Sequence, residues 1–204
     1  MRVNESTKAW LRSKSIYVPD DWLEACIEWI NNETQDKLQL PDQLNGAVYE
    51  QWLLSDLHEL QSPCLPEQLI SQRKYQLNGG YALQIDSLVD VSKPYYGQML
   101  KVKGSENENV KVTAEPPAPW EPKPTRMLML KLTDGVTEVQ GMEYRQILCL
   151  NEKIKPGTKV LIKGSVLCRN GVLMLKADNV QLLGGEVDTL VEELTPHSAL
   201  QQAL

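Results

Sequence analysis

The segment 127–183 constrains the fold more than any other part of the chain, because short apolar runs alternate there with residues that favour tight turns. An apolar run over 127–132 ends at Asp134-Gly135, and apolar residues resume from Val136. Asp-Gly between two such runs is among the strongest short-range signals for a β-hairpin. The pattern therefore predicts two antiparallel strands joined at this turn.

A second hairpin follows along the chain. Pro156-Gly157 is a turn signal that precedes a strand over 158–168, and Asn170-Gly171 reverses the chain into a short strand over 172–175. The stretch 147–155 between the two hairpins lacks strand character. Four strands are therefore predicted in this part of the chain.

A fifth strand is predicted upstream, over 81–91. Leu83 and Ile85 fall on one face of this strand, and Gln84 and Asp86 fall on the other, because side chains alternate along a strand. Five short strands with a non-strand stretch between the third and the fourth match an OB-fold, a five-stranded, partly open Greek-key barrel.

The segment before the barrel is predicted to be helical. A short helix is expected over 7–13, and a second follows Pro19, where Asp21 and Glu24 resemble a capping box. A third helix is expected over 42–62. Each segment carries apolar residues on one face, so the three helices predict a small bundle.

Together these patterns predict an α+β protein. A three-helix bundle at 1–70 packs on a five-stranded OB-fold barrel at 71–185, which carries a long insertion loop at 92–126 and is followed by a C-terminal helix at 186–204. A chain of 204 residues with 42% hydrophobic residues is large enough to bury a core of this kind.

The end of the third helix carries more apolar surface than a small bundle needs. Leu53, Leu54 and Leu57 flank Ser55 and Asp56, and neighbouring residues lie about 100° apart around a helix axis. Two explanations remain open for this wide apolar surface: the barrel of the same chain covers it, or a partner protein does.

Charge is distributed unevenly along the chain. Segment 1–70 carries 5 basic and 12 acidic residues, segment 71–185 carries 16 and 11, and segment 186–204 carries 0 and 4. The barrel is thus mildly basic between two acidic flanks, for which a solvated surface is the simplest explanation.

The chain shows no pattern that indicates catalysis or metal binding. Its four cysteines and two histidines are scattered, without paired metal ligands, which argues against a disulfide framework and a zinc site. It has neither a phosphate-binding glycine loop nor a nucleophile elbow. No window is apolar enough to cross a bilayer, and the start lacks the apolar part of a secretory signal. We therefore expect a soluble intracellular protein that is not an enzyme and needs no cofactor.

The insertion loop 92–126 is the most unusual stretch, since its 35 residues far exceed the usual hairpin loop of about two to five. It holds 6 of the 12 prolines, which disfavour strand pairing and favour an extended backbone. Trp120 lies among these prolines and could anchor the loop on a protein surface. A loop that inserts into a partner and a passive linker both remain open.

An OB-fold can also bind single-stranded nucleic acid through aromatic side chains that stack on bases. Tyr144 is the only aromatic residue over 127–204, and the chain contains no Phe. Lysines such as Lys153 and Lys163 could contact phosphates, which predicts weak and salt-sensitive binding. The composition therefore favours an OB-fold that docks on protein; the alternative is an autonomous single-stranded nucleic-acid-binding OB-fold protein.

Five blocks of sequence, at 22–27, 50–57, 81–92, 126–135 and 183–188, resemble the N-terminal region of the RecQ-mediated genome instability protein 1 family. The resemblance covers essentially the whole chain. It implies a non-catalytic scaffold whose OB-fold binds topoisomerase III alpha. Together with a Bloom-type RecQ helicase, this complex is implied to dissolve double Holliday junctions without crossover, in DNA repair, DNA replication and homologous recombination, which would place the chain in the nucleus.

The resemblance also implies functional residues. The partner-binding block of the family appears here as Leu53, Leu54, Ser55 and Asp56, with Ser where the family has Thr, and Lys159 matches a further position implicated in partner binding. The insertion loop resembles an element that enters the topoisomerase gate and modulates its opening. The residues assigned to this gate-inserting element are Tyr95, Tyr96, Met99, Leu100, Pro117, Pro119, Trp120 and Pro122.

Two expectations concern the rest of the assembly. Contact with DNA is expected to be weak or indirect, because the barrel lacks stacking residues. Family members continue into a second OB-fold that binds a further small OB-fold subunit. We therefore expect this chain to be the N-terminal part of a longer protein.

Overall fold

The computed structural model describes residues 2–33, 41–94, 98 and 126–193. Most of the insertion loop and the last part of the predicted C-terminal helix lie outside these ranges. Within the described ranges, an α+β architecture is present, with helices that precede a β-barrel.

The helical part differs from the prediction in three places, one of which is an additional short helix over Gln68–Ser71. The first helix begins at Arg2 rather than at residue 7, and the predicted third helix is interrupted at Ser55 and Asp56, so that a separate short helix follows. The helices of the structure are α1 Arg2–Ser13, α2 Asp20–Glu33, α3 Pro41–Leu54, α4 Leu57–Leu60, α5 Gln68–Ser71 and α6 Asp188–Glu193.

The first three helices pack around a shared apolar core. Leu11, Leu23, Val48 and Trp52 are each almost fully buried in it, and the side chain of Tyr49 stacks on Trp52 with ring centroids 5.9 Å apart. An aromatic pair at this distance adds to the apolar area that the helices bury. The three amphipathic stripes therefore meet as the sequence predicts.

The strands confirm the OB-fold. They are β1 Lys74–Asp90, β2 Leu128–Thr133, β3 Glu138–Glu143, β4 Thr158–Arg169, β5 Val172–Leu175 and β6 Val180–Gly184. Strands β1, β2, β3, β5 and β4 follow one another around the sheet, and β4 pairs with β1 to close a five-stranded barrel. All neighbouring pairs of this barrel are antiparallel except β3 with β5.

Three features of the sheet were not predicted. β1 begins at Lys74 and contains Gly79 and Gly80, which face Gly164 and Lys163 of β4, so these two glycines lie inside a strand and not in a turn. Val136 lies in the turn before β3 rather than in the strand. An additional strand, β6, pairs with β4 outside the closed barrel.

The barrel interior is lined by the inward-facing aliphatic residues of all five strands, among them Leu83, Leu130, Val160 and Leu173, which are fully buried. This interior is filled by side chains, as in other small barrels. In the part of the chain that the structure describes, no helix combines the length and the apolar character needed to span a membrane.

Candidate protein-interaction site

The segment 53–56 forms the break between α3 and α4, and its own side chains cause that break. The hydroxyl of Ser55 donates to the carbonyl of Gln51 at 2.8 Å, and Asp56 has an extended backbone and is the N-cap of α4. An Asp56 carboxylate oxygen accepts from the backbone N–H of His58 at 2.9 Å. Ser and Asp often end or start helices in this way, because their side chains bond to nearby backbone groups.

The first explanation for the wide apolar surface, coverage by the same chain, holds for most of it. Leu57 is buried and Leu53 is half-buried against the helical core. Leu54 points away from that core and is 55% exposed, while Ser55 and Asp56 are partly accessible beside it. The same chain therefore covers most of this surface, whereas Leu54 stays exposed among the described residues.

Gln84 of β1 ties the break to the barrel. Its side chain is fully buried. Its carbonyl oxygen accepts from the Leu57 N–H at 3.0 Å, and its amide nitrogen donates to the Asp56 carboxylate at 2.8 Å and to Asp86 at 3.0 Å. A single amide thus satisfies groups on both sides of the helix–barrel junction, which fixes the direction of the segment 53–56.

Asp86 lies at a bulge of β1 and completes this polar cluster. Its second carboxylate oxygen lies 3.2 Å from Nε2 of His58. Burial raises the pKa of Asp86, and the contacts with Gln84 and His58 offset part of that effect. The sequence placed Gln84 and Asp86 on a polar face of the strand; the structure shows that the helices cover this face.

Lys159 lies behind the segment 53–56 rather than on the surface. It pairs with Gln84 across β1 and β4, and its exposed fraction is 0%. The ammonium group donates to the carbonyl of Gly157 at 2.7 Å and to that of Leu53 at 3.2 Å. Burial lowers the pKa of Lys159 to about 8. The geometry makes Lys159 a positioning residue for the end of α3.

Gly185 brings the barrel backbone close to the same place. Its φ angle is +80°, and a Cβ atom there would lie 2.2 Å from the carbonyl oxygen of Leu53. Only glycine fits both the backbone conformation and the space. Gly185 directly follows β6, and no signal in the sequence predicts its contact with Leu53.

The start of the insertion loop is held by Asp90. Its buried carboxylate accepts from the N–H and the hydroxyl of Ser92 and from the Met127 N–H, and the Lys93 ammonium lies 2.9 Å from it. Burial alone would raise the pKa of Asp90, but the bonds from Ser92, Lys93 and Met127 lower it to about 2. Both ends of the loop therefore meet at one carboxylate.

A second buried carboxylate holds the end of the loop. Glu143 of β3 pairs with Arg126 and also accepts from the N–H groups of Leu128 and Ile147. Arg126 further donates to the carbonyls of Ile147 and Leu150. We call Asp90, Lys93, Arg126 and Glu143 the loop root. The sequence predicted no role for these four residues.

The structure therefore brings four of the five predicted partner-binding residues to one partly accessible turn and places Lys159 beneath them. The gate-inserting residues predicted within 95–122 lie outside the described residues. Among the described residues, no group of three or more His, Cys, Asp or Glu is arranged to hold a metal ion.

A helical domain that leads directly into a closed OB-fold barrel defines the structural class of this chain. Two family models match in the same order: "RMI1, N-terminal helical domain" over residues 11–60 and "RMI1, N-terminal OB-fold domain" over residues 65–197. The chain belongs to the RecQ-mediated genome instability protein 1 family.

Individual relatives agree with this assignment. RecQ-mediated genome instability protein 1 of Xenopus laevis is 49% identical over 201 residues, which is 97% of this chain and 36% of the relative. The protein of the same name from Mus musculus is 49% identical over 97% of this chain and 33% of its own length, and that from Gallus gallus is 48% identical over 99% and 33%. The chain thus spans about a third of the length of these relatives.

Proposed function

We propose that this chain is a non-catalytic subunit that binds topoisomerase III alpha and regulates its DNA gate. In a nuclear complex with a Bloom-type RecQ helicase, it would promote dissolution of double Holliday junctions and so limit crossovers. Membership of the family supports a role in genome stability, since its members are named for RecQ-mediated genome instability. The observation that carries the proposal is the exposed Leu54 on a turn that the barrel holds in one orientation.

The fixed turn favours protein docking because it reduces the ordering cost of binding. A side chain on a preorganised backbone loses less conformational freedom when it meets a partner. Gln84, Lys159 and Gly185 hold the backbone on both sides of Leu54, which leaves only its own rotamers to be ordered. Such a leucine can act as an apolar anchor in a partner pocket.

The loop root supports the regulatory part of the proposal. Asp90 and Glu143 hold the two ends of the insertion at the barrel, so the barrel and the loop root would move as one unit. A loop shifts the balance between open and closed gate states only if it contacts one state better. A tenfold shift requires about 1.4 kcal/mol, which a few buried contacts supply.

Calorimetric titration into topoisomerase III alpha tests binding, with a parallel titration into a single-stranded oligonucleotide. We expect tight binding to the enzyme and weak, salt-sensitive binding to DNA. Leu54→Ala should weaken enzyme binding at least tenfold, since interface anchors cost about 2 kcal/mol or more when truncated. Leu148→Ala is the control, because Leu148 is 89% exposed and lies in the connection between β3 and β4, away from the segment 53–56 in sequence. Tight DNA binding without enzyme binding would instead support the autonomous nucleic-acid-binding protein.

The gating part has its own test. Deletion of 101–123 should change the rates of decatenation and dissolution more than it changes the affinity for the enzyme, because the segment 53–56 and the loop root remain. Unchanged rates with unchanged affinity would show that the insertion is not a gate regulator.

A further inference from the structure

An open groove runs beside the segment 53–56 and is not used by the contacts described so far. It has a volume of about 1060 Å³ and lies between α2, the α3–α4 break and the start of α6. Small-molecule sites have volumes of about 300–1,000 Å³ and enclose their ligands. An open groove of this size is better suited to a segment of another protein.

The groove presents a short apolar strip. Trp22 and Ala25 lie one helical turn apart on α2, and Leu54 faces them from the end of α3. Trp22 is half-buried, Ala25 is exposed and Leu54 is the most exposed large apolar side chain that lines the groove. These residues offer an apolar strip between two helices.

The charges around this strip have one sign. Asp21 on α2, Glu59 on α4, Asp188 on α6 and Asp56 at the break all line the groove, and the lining includes no Lys or Arg. Asp56 is partly engaged by Gln84 and His58, whereas Asp21, Glu59 and Asp188 are exposed. A ligand with apolar and positive groups would complement this surface.

The lining also indicates the conformation of the ligand. All residues that line the groove come from helices or the segments beside them, and none comes from a strand. An extended peptide that adds to a sheet needs an unpaired strand edge, which the groove does not offer. An amphipathic helix needs an apolar groove with a polar rim, and its lysine or arginine residues flank its apolar stripe.

We propose that this groove binds a basic amphipathic helix of a partner protein. The apolar side chains of the helix would contact Trp22, Ala25 and Leu54, and its basic residues would face Asp21, Glu59 and Asp188. This inference rests on the proposed function only in taking the segment 53–56 as part of a partner-binding surface.

A labelled Leu/Lys peptide that forms an amphipathic helix of about three turns is a suitable probe, followed by fluorescence anisotropy. A peptide of the same composition, rearranged so that leucines spread around the helix, should bind at least tenfold more weakly. Binding of the amphipathic probe should also weaken from about 0.1 M to about 1 M salt, because the Debye length falls from about 10 Å to about 3 Å. Equal binding of the two peptides would overturn the proposal.

Leu54→Arg and Ile70→Arg form a matched pair of variants. Both leave a folded core intact, since Leu54 and Ile70 are 55% and 53% exposed, and both add the same charge. Leu54→Arg and Ala25→Arg should each lower probe affinity at least tenfold, whereas Ile70→Arg, outside the groove, should lower it less than threefold. An equal loss in Ile70→Arg would show that the probe senses only the overall acidity of the chain.

Three further outcomes distinguish a partner helix in the groove from the alternatives. If removal of residues 194–204 raised probe affinity tenfold or more, the groove would belong to the end of this chain and the proposal would be wrong. Probe binding that depends on Leu54, without binding to topoisomerase III alpha, would support the groove and refute the proposed partner. Tight enzyme binding without any probe binding would refute the groove as a helix-binding site and support topoisomerase III alpha as the partner.

Discussion

Two largely buried polar clusters, the loop root and the junction of the helices with the barrel at Gln84, Asp86 and Lys159, are built in opposite ways. At the loop root, Glu143 is paired with Arg126, and hydrogen bonds lower the pKa of Asp90 to about 2. At the helix–barrel junction, burial raises the pKa of Asp86 and lowers that of Lys159 to about 8. At the loop root, neighbouring groups stabilise the charges of Asp90 and Glu143. At the junction, burial disfavours the charged forms of Asp86 and Lys159 more than their neighbours stabilise them.

This difference has a physical consequence for function. Removing Lys93 or Arg126 from the loop root would leave the buried carboxylate of Asp90 or Glu143 without its cation, which is costly. Burial disfavours the charged forms of Asp86 and Lys159, so a change in pH or in contacts alters the protonation of this cluster more readily. The loop root is therefore suited to hold the two ends of the insertion at the barrel, and the junction is suited to respond to a partner of the kind proposed for the segment 53–56.

The largest expected effect comes from removing one charge from each cluster. Glu143→Gln should lower the free energy of unfolding by about 3–5 kcal/mol, because Arg126 loses its buried partner. Asp86→Asn should cost less than about 1 kcal/mol, since burial already disfavours the charged form of Asp86. Urea unfolding measures both values. Equal losses in the two variants would contradict the contrast between the clusters.

Glu138→Gln is the control for this comparison. Glu138 pairs with Lys131 on the same hairpin, but both side chains are about half exposed. An exposed pair contributes about 0–1 kcal/mol. A loss as large as that of Glu143→Gln would mean that charge removal destabilises the hairpin regardless of burial.

A second comparison probes the tightest contact of the junction. Gly184 and Gly185 both have positive φ angles, but a Cβ atom at position 184 would meet nothing within 4 Å, whereas one at 185 would meet the Leu53 carbonyl. Gly184→Ala should cost about 1–2 kcal/mol from the backbone alone. Gly185→Ala should cost about 1–3 kcal/mol more, because the backbone of α3 must move. Thermal or urea unfolding measures both losses in stability. Equal losses would mean that the close contact between Gly185 and the Leu53 carbonyl does not restrict the residue at position 185.

The smallest effect concerns the charge of Lys159. Between about pH 8 and pH 10.5 the folded chain has released the Lys159 proton, while the unfolded chain still binds it. The free energy of unfolding therefore rises with pH in this window, by at most about 1.4 kcal/mol per unit. Cys26 and Cys64 have pKa values raised by burial and act in the opposite direction above about pH 9.

Comparison of the wild type with Lys159→Met isolates the contribution of Lys159 to the pH dependence of the free energy of unfolding. The difference in the free energy of unfolding, wild type minus variant, should increase from pH 8 to pH 10. Lys163→Met serves as the control, since Lys163 lies on the same strand and is exposed. A difference that stays flat would show that Lys159 keeps its charge in the fold.

The sequence predicted the local elements well. Asp134-Gly135 and Asn170-Gly171 do reverse neighbouring strands, because turn conformations depend on the residues that adopt them. The alternation of Leu83 and Ile85 correctly identified the inner face of β1. The interruption of α3 was also encoded locally, in the bonding of Ser55 and Asp56, but a continuous apolar stripe obscured it.

The candidate site was predictable only in its accessible part. Leu53, Leu54, Ser55 and Asp56 are contiguous, so a resemblance in sequence identifies them together. Gln84, Asp86 and Gly185 carry no local signal, since an amide, a carboxylate and a glycine on a strand or at its edge are most often exposed. Their roles arise from contacts with residues that are distant along the chain.

The amino-acid sequence by itself therefore determined the helices, the hairpins, the inner face of the barrel and the family. Tertiary structure alone decided that β4 closes on β1, that helices cover Gln84 and Asp86, and that Lys159 supports Leu53 from within. The reason is the distance along the chain over which each effect acts, since secondary-structure propensity and hydrophobic periodicity depend on only a few neighbouring residues. Whether a polar group becomes buried, and which atom satisfies it, depends on surfaces that meet only after the chain has folded.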